Sequence, residues 1–88
     1  MKQLDLSLYL VLDPDLCGAF GMVETARAAV AGGATVVQLR DKHADTGRMI
    51  EIGRALKAAL SGTGAKLIIN DDVQAAIRIN ADGLHIGQ

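Results

Sequence analysis

Short apolar runs and helical-period segments alternate along this sequence, and that alternation leaves few folds open. Leu8-Tyr9-Leu10-Val11-Leu12 is a continuous apolar run closed by Asp13-Pro14-Asp15, which reads as a buried strand and its stop signal. A loop through Cys17-Gly18 and Gly21 leads to a helix from about Met22 to Ala31, where Val23, Ala26 and Val30 fall at i, i+3 and i+7. Gly32-Gly33 stops that helix, because glycine adopts a left-handed cap at no steric cost. The run Val36-Val37-Gln38-Leu39 begins a second strand. Asp45 or Thr46 caps a second helix, which runs to about Leu60 with Met49, Ile52, Leu56 and Ala59 or Leu60 on one face. After the flexible link Ser61-Gly62-Thr63-Gly64 comes a third strand, Lys66-Leu67-Ile68-Ile69-Asn70. Asp71 or Asp72 then caps a short helix with Val73, Ala76 and Ile77 as its apolar face, and Asn80-Ala81-Asp82-Gly83 turns the chain into a fourth strand, Leu84-His85-Ile86.

The order β-α-β-α-β-α-β with short connections predicts parallel strands joined by right-handed crossovers. A doubly wound sheet and a (β/α)8 barrel both accept that order, and both place ligands at the carboxyl ends of the strands. No glycine-rich dinucleotide fingerprint follows the first strand, where Asp13-Pro14-Asp15 stands instead. Polar residues recur at the ends of all four strands: Asp13, then Gln38, Arg40 and Lys42, then Asn70 and Asp71, then His85 and Gln88. A closed barrel explains such side chains in phase. The expected fold is therefore α/β, with four parallel strands of a (β/α)8 TIM barrel in a single domain. Strand order 1-2-3-4 with helices on one face only is the corresponding expectation.

Composition narrows the function classes. Half of the 88 residues are hydrophobic but the only aromatics are Tyr9 and Phe20, so the core is aliphatic and alanine-rich. Nine basic residues against ten acidic ones, with no basic run, set nucleic acid aside as a partner. Cys17 stands alone, with no metal-ligand spacing, and fits a reducing cytoplasm as a small apolar residue. Met1-Lys2-Gln3-Leu4-Asp5 has an early acid and no long apolar stretch, unlike a signal peptide, and no run approaches the ~20 residues needed to span a bilayer.

The chemistry concentrates at Gln38-Leu39-Arg40-Asp41-Lys42. Strand side chains alternate faces, so Gln38, Arg40 and Lys42 point the same way if the extended geometry persists. An amide and two cations at one strand end suit an anionic ligand: a guanidinium presents a planar fork to phosphate oxygens, and an ammonium a compact charge. Asp71-Asp72 reads either as a helix cap pair or as a metal carboxylate with a cap beside it. His85 is expected to line the pocket or to be a hydrogen-bonded core histidine. His43 reads as solvated, and Tyr9 as core with its hydroxyl on a polar partner.

Three motifs, Gln38-Leu39-Arg40-Asp41-Lys42, Ile69-Asn70-Asp71 and Ala81-Asp82-Gly83-Leu84-His85-Ile86-Gly87-Gln88, resemble in order and spacing those of the thiamine-phosphate synthase family. The start Leu8-Tyr9-Leu10-Val11 and the turn Gly32-Gly33-Ala34 are similar as well. The resemblance implies a magnesium-dependent transferase of thiamine biosynthesis, with residues 1–88 as the amino-terminal half of one TIM-barrel domain. It would condense 4-amino-2-methyl-5-hydroxymethylpyrimidine diphosphate with thiazole phosphate, releasing pyrophosphate. It places substrate binding on Gln38, Leu39, Arg40, Asp41, Lys42 and Asn70, and a magnesium ligand on Asp71. A second magnesium carboxylate, two residues beyond Gln88, and the thiazole-phosphate contacts on later strands are implied too. A thiazole tautomerase-like barrel of the same superfamily and a non-catalytic half-barrel are the alternatives. An open half-barrel also carries the expectation that the 88-residue chain, on its own, self-associates and lacks synthase activity.

Overall fold

The computed structural model describes residues 8–14 and 21–86. Expectations that fall on Cys17, Phe20, the first seven residues, Gly87 or Gln88 lie outside the described residues. Strand β1 (Leu8–Leu12) is followed by helix α1 (Met22–Ala31), strand β2 (Ala34–Leu39), helix α2 (Thr46–Leu60), strand β3 (Lys66–Asn70), helix α3 (Val73–Arg78) and strand β4 (Gly83–His85). All three strand pairs are parallel, in the order β1-β2-β3-β4. This is the α/β architecture of a (β/α)8 barrel wall, and it excludes the doubly wound order, in which a strand would return to the other side of β1.

Alternation along the strands decides which face is dry. Leu12, Val37, Leu39, Leu67 and Ile69 are all nearly inaccessible, and they pack against Ala26 of α1, Met49, Ile52, Leu56 and Leu60 of α2, and Ala75 of α3. The residues between them in sequence project to the other side, which no described helix covers: Tyr9 is 54% exposed and Val11 39%. The helices therefore lie on one face, and the opposite face is the inner wall of the barrel sector. The register stacks that wall in layers. Tyr9, Val36 and Lys66 are neighbours; Val11, Gln38, Ile68 and Gly83 form the next row; Asn70 and His85 pair beyond them.

Local chemistry explains the element ends. Gly33 adopts φ 117, which an L side chain rarely does, and so releases the chain from α1 into β2. Asp45 caps α2 by accepting from the Arg48 amide at 2.8 Å, and Asp72 caps α3 by accepting from the Ala75 amide at 3.0 Å. Lys57 Nζ donates to the carbonyls of Ile79 (2.8 Å) and Asn80 (2.7 Å), tying α2 to the carboxyl end of α3. Gly53 lets α2 approach so closely that a Cβ there would sit 2.6 Å from Ile79 Cδ1.

Two readings of the sequence change. The buried face of α3 is Ala75, with Ile79 just past its end, while Val73 and Ile77 are exposed at 47% and 73%. Six residues are too few for helical period to pick a face; the space left by Gly53 selects Ile79 instead. Tyr9 is not core, because it lies on the uncovered inner wall, but its hydroxyl does meet a polar partner, Gln38 Nε2 at 2.7 Å.

Candidate functional site

The strands end where the polar residues begin. Strand β2 stops at Leu39, and one further ladder bond, from the Arg40 amide to the Leu12 carbonyl at 2.9 Å, carries the parallel register one step beyond it. Arg40 is thereby set opposite Asp13. Its Nη1 donates to Asp13 Oδ2 at 3.3 Å, with the Asp13 side chain 11% exposed and that of Arg40 42%. From Asp41 the chain turns, the Ala44 amide donating to the Asp41 carbonyl and the His43 amide to Asp41 Oδ1. Lys42 is consequently on an exposed turn and not on an extended strand. The period-two expectation holds from Gln38 to Arg40 and lapses at Lys42, because ladder bonding ends between them.

At the end of β3, Asn70 and Asp71 stand beside this turn. Asp71 has φ 64, a left-handed conformation unusual for a residue with a Cβ, and its amide donates to the His85 carbonyl at 2.8 Å. Such a conformation costs on the order of 1–3 kcal/mol and persists where surrounding structure imposes it. Asp72 supplies the cap of α3, and Asp71 borders the cleft. Asn70 Oδ1 accepts from His85 Nδ1 at 3.0 Å, and its Nδ2 lies 3.4 Å from Asp71 Oδ2. His85 is exposed on the inner wall, and His43 is solvated.

Between the two strand ends and the starts of α2 and α3 opens a cleft of about 560 Å³. Arg40, Asp41, Lys42, Asn70, Asp71 and Asp72 supply its polar rim, and Met49 part of its apolar floor. Gln38 and Leu39 are not on it. Leu39 is fully buried among the helices, so neither its side chain nor its backbone is open to the cleft. Gln38 is 6% exposed and engaged by Tyr9 on the inner wall. Two cations and three carboxylates border the cleft. A polyanion therefore meets no net positive charge there, and the donor set suits a polyanion accompanied by a divalent cation. Among the described residues no three His, Cys, Asp or Glu side chains cluster as a metal cage.

Residues 8–88 match the thiamine monophosphate synthase family. The chain belongs to that family. Among curated relatives, the thiamine-phosphate synthase of Xanthobacter autotrophicus is 54% identical over 87 residues, which cover 99% of this chain and 41% of that protein. The thiamine-phosphate synthase of Laribacter hongkongensis is 46% identical over 88 residues, 99% of this chain and 42% of that protein. The solved thiamine phosphate pyrophosphorylase of Pyrococcus furiosus superposes with a TM-score of 0.79 at 38% identity, over 90% of this chain and 38% of its own. The chain thus spans about two fifths of the family members it matches. Within this family member, sequence reasoning noted Asp13 only as a polar strand end and missed its ion pair. The signal was its place one residue beyond β1, opposite Arg40 in a register that parallel pairing imposes.

Proposed function

We propose that this chain provides the pyrimidine-diphosphate side of a thiamine-phosphate synthase active site. The reaction joins 4-amino-2-methyl-5-hydroxymethylpyrimidine diphosphate to thiazole phosphate: the methylene C–O bond to the diphosphate breaks, a bond from the thiazole nitrogen forms, and pyrophosphate leaves. The single observation that carries this reading is the cleft at the carboxyl ends of β2 and β3, where Arg40, Lys42, Asn70 and Asp71 converge. Barrel enzymes build their sites at that end of the strands.

Each residue has a physical role in this reading. Arg40 offers a rigid fork of donors to diphosphate oxygens, and Lys42 a mobile point charge that follows the departing group. Both stabilise negative charge as it develops on the leaving group, where electrostatic catalysis contributes most. Asn70, held between His85 and Asp71, hydrogen-bonds the pyrimidine or the diphosphate. Asp71, with Asp41 across the cleft, would hold Mg2+, which when bound neutralises diphosphate charge that two cations alone do not balance. Gln38 and the Leu39 backbone support the strand from which Arg40 projects. Residues 1–88 are read as the amino-terminal half of one barrel domain, the thiazole phosphate being met by strands that follow.

The same reading gives the partners: two small phosphorylated substrates, with neither nucleic acid nor membrane. A cytoplasmic location accords with it, and no helix among the described residues is long and apolar enough to cross a membrane. The inner wall, with Tyr9 and Val11 exposed, supports self-association of the 88-residue chain when it stands alone.

Titration calorimetry of the chain with pyrophosphate, with and without magnesium, tests the site. Binding that requires magnesium and weakens on the order of ten- to a hundredfold in Arg40→Ala is expected, from the ~1.5–3 kcal/mol attached to a charge-assisted hydrogen bond. Equal affinity for parent and variant would overturn the reading. The activity itself is checked by fusing residues 1–88 in frame to the remaining strands of the 54%-identical relative and assaying thiamine phosphate formation.

A further inference from the structure

We propose that Asp13 is a positioning residue for Arg40: its carboxylate fixes the guanidinium so that the remaining donors meet a diphosphate in the cleft. The proposal rests on the reading of Arg40 as a diphosphate ligand.

Three observations carry it. Asp13 follows β1 directly, and the bond from the Arg40 amide to the Leu12 carbonyl makes Asp13 and Arg40 cross-strand neighbours by register. The Asp13 carboxylate is 11% exposed and takes Arg40 Nη1 at 3.3 Å, whereas the Arg40 side chain is 42% exposed and borders the cleft. A nearly dry carboxylate has little water to substitute for its partner, so the contact constrains the arginine more than a solvated surface pair does. With one Nη1 N–H engaged by Asp13, four donors remain for a ligand: the second N–H of Nη1, the pair on Nη2, and Nε–H. Lys42, on its exposed turn, has no ion pair among the described residues, so the two cations differ: one is oriented, the other is free to follow the ligand.

Two effects of Asp13 on anion binding have opposite sign. Its negative charge repels a diphosphate whatever stands at position 40. Its hold on the guanidinium favours a diphosphate only while Arg40 is present. A double-mutant cycle separates them. Pyrophosphate affinity is measured by calorimetry in magnesium buffer for the parent chain, Asp13→Ala, Arg40→Ala and the double variant. Asp13→Ala is expected to weaken binding roughly three- to tenfold in the parent, in line with the ordering of one long side chain. In the Arg40→Ala background it should leave affinity unchanged or raise it. Asp13→Asn, nearly isosteric and still an acceptor, should recover part of the loss, and it stands in if Asp13→Ala fails to fold. The Arg40 Nε–H resonance in a ¹⁵N-labelled sample should show greater mobility in Asp13→Asn than in the parent.

An equal effect of Asp13→Ala in both backgrounds, or an unaltered Arg40 resonance, overturns the positioning role while leaving the site intact. Unchanged affinity in Arg40→Ala, or no binding by the parent chain, overturns the diphosphate reading and the proposal with it.

Discussion

Asn70 and His85 lie opposite one another at the ends of adjacent parallel strands, with Nδ1 of the imidazole donating to Oδ1 of the amide at 3.0 Å. The oxygen is thereby occupied, and Nδ2 is the group turned toward Asp71. Amide side chains have two nearly isosteric orientations, and one fixed partner selects between them. The Asp71 carboxylate can only accept, so it draws Nδ2 toward itself, and His85 completes the arrangement on the oxygen side.

His85→Ala should accordingly weaken pyrophosphate binding by less than Asn70→Ala, because the amide remains on Asp71 and loses only the restraint on its oxygen side. About a threefold loss for the histidine variant is expected, of the order of fixing one rotatable group. Calorimetry on both variants checks the ranking, and a larger loss for His85→Ala would assign the histidine a direct contact.

The two neighbouring aspartates should separate cleanly. Asp72→Ala removes the cap bond to the Ala75 amide and should lower stability by about 1 kcal/mol with magnesium-dependent pyrophosphate binding retained. Asp71→Asn keeps a residue type that tolerates the left-handed backbone, so stability should hold within about 0.5 kcal/mol while the magnesium dependence is lost. Urea melts and calorimetry with and without magnesium, run on both variants, would show any reversal of these roles.

Gly53→Val should destabilise the fold by about 1–3 kcal/mol, the usual range for overpacking a filled core. Even the first carbon added at this position would come within 2.6 Å of Ile79 Cδ1, and Ile79 is only 4% exposed. A thermal melt showing an unchanged midpoint would mean that α3 yields easily.

The uncovered inner wall should drive association of the 88-residue chain. Sedimentation of the parent is expected to show oligomers at micromolar concentration, and Val11→Lys, on the exposed face of the edge strand β1, should shift the distribution toward monomer. A parent chain that sediments as a well-folded monomer would refute this.

The sequence by itself determined the element order and the parallel topology. Those follow from short-range pattern: apolar runs bounded by Gly33 and Asp13, a Met49-Ile52-Leu56-Leu60 stripe, and a helix between each strand and the next, which makes the crossovers parallel. It also marked Arg40, Lys42, Asn70 and Asp71, because charge at the end of an apolar strand is visible in the chain itself. Tertiary structure alone decided which aspartate caps α3, that Leu39 turns into the core, that Ile79 and not Ile77 is buried, and that Asp13 clasps Arg40. Each of these depends on a group distant in sequence or on a backbone angle, such as φ 64 at Asp71, that neighbouring strands impose. Propensity and period describe a residue's own segment; the partner that fills its last hydrogen bond or its last cubic ångströms comes from another.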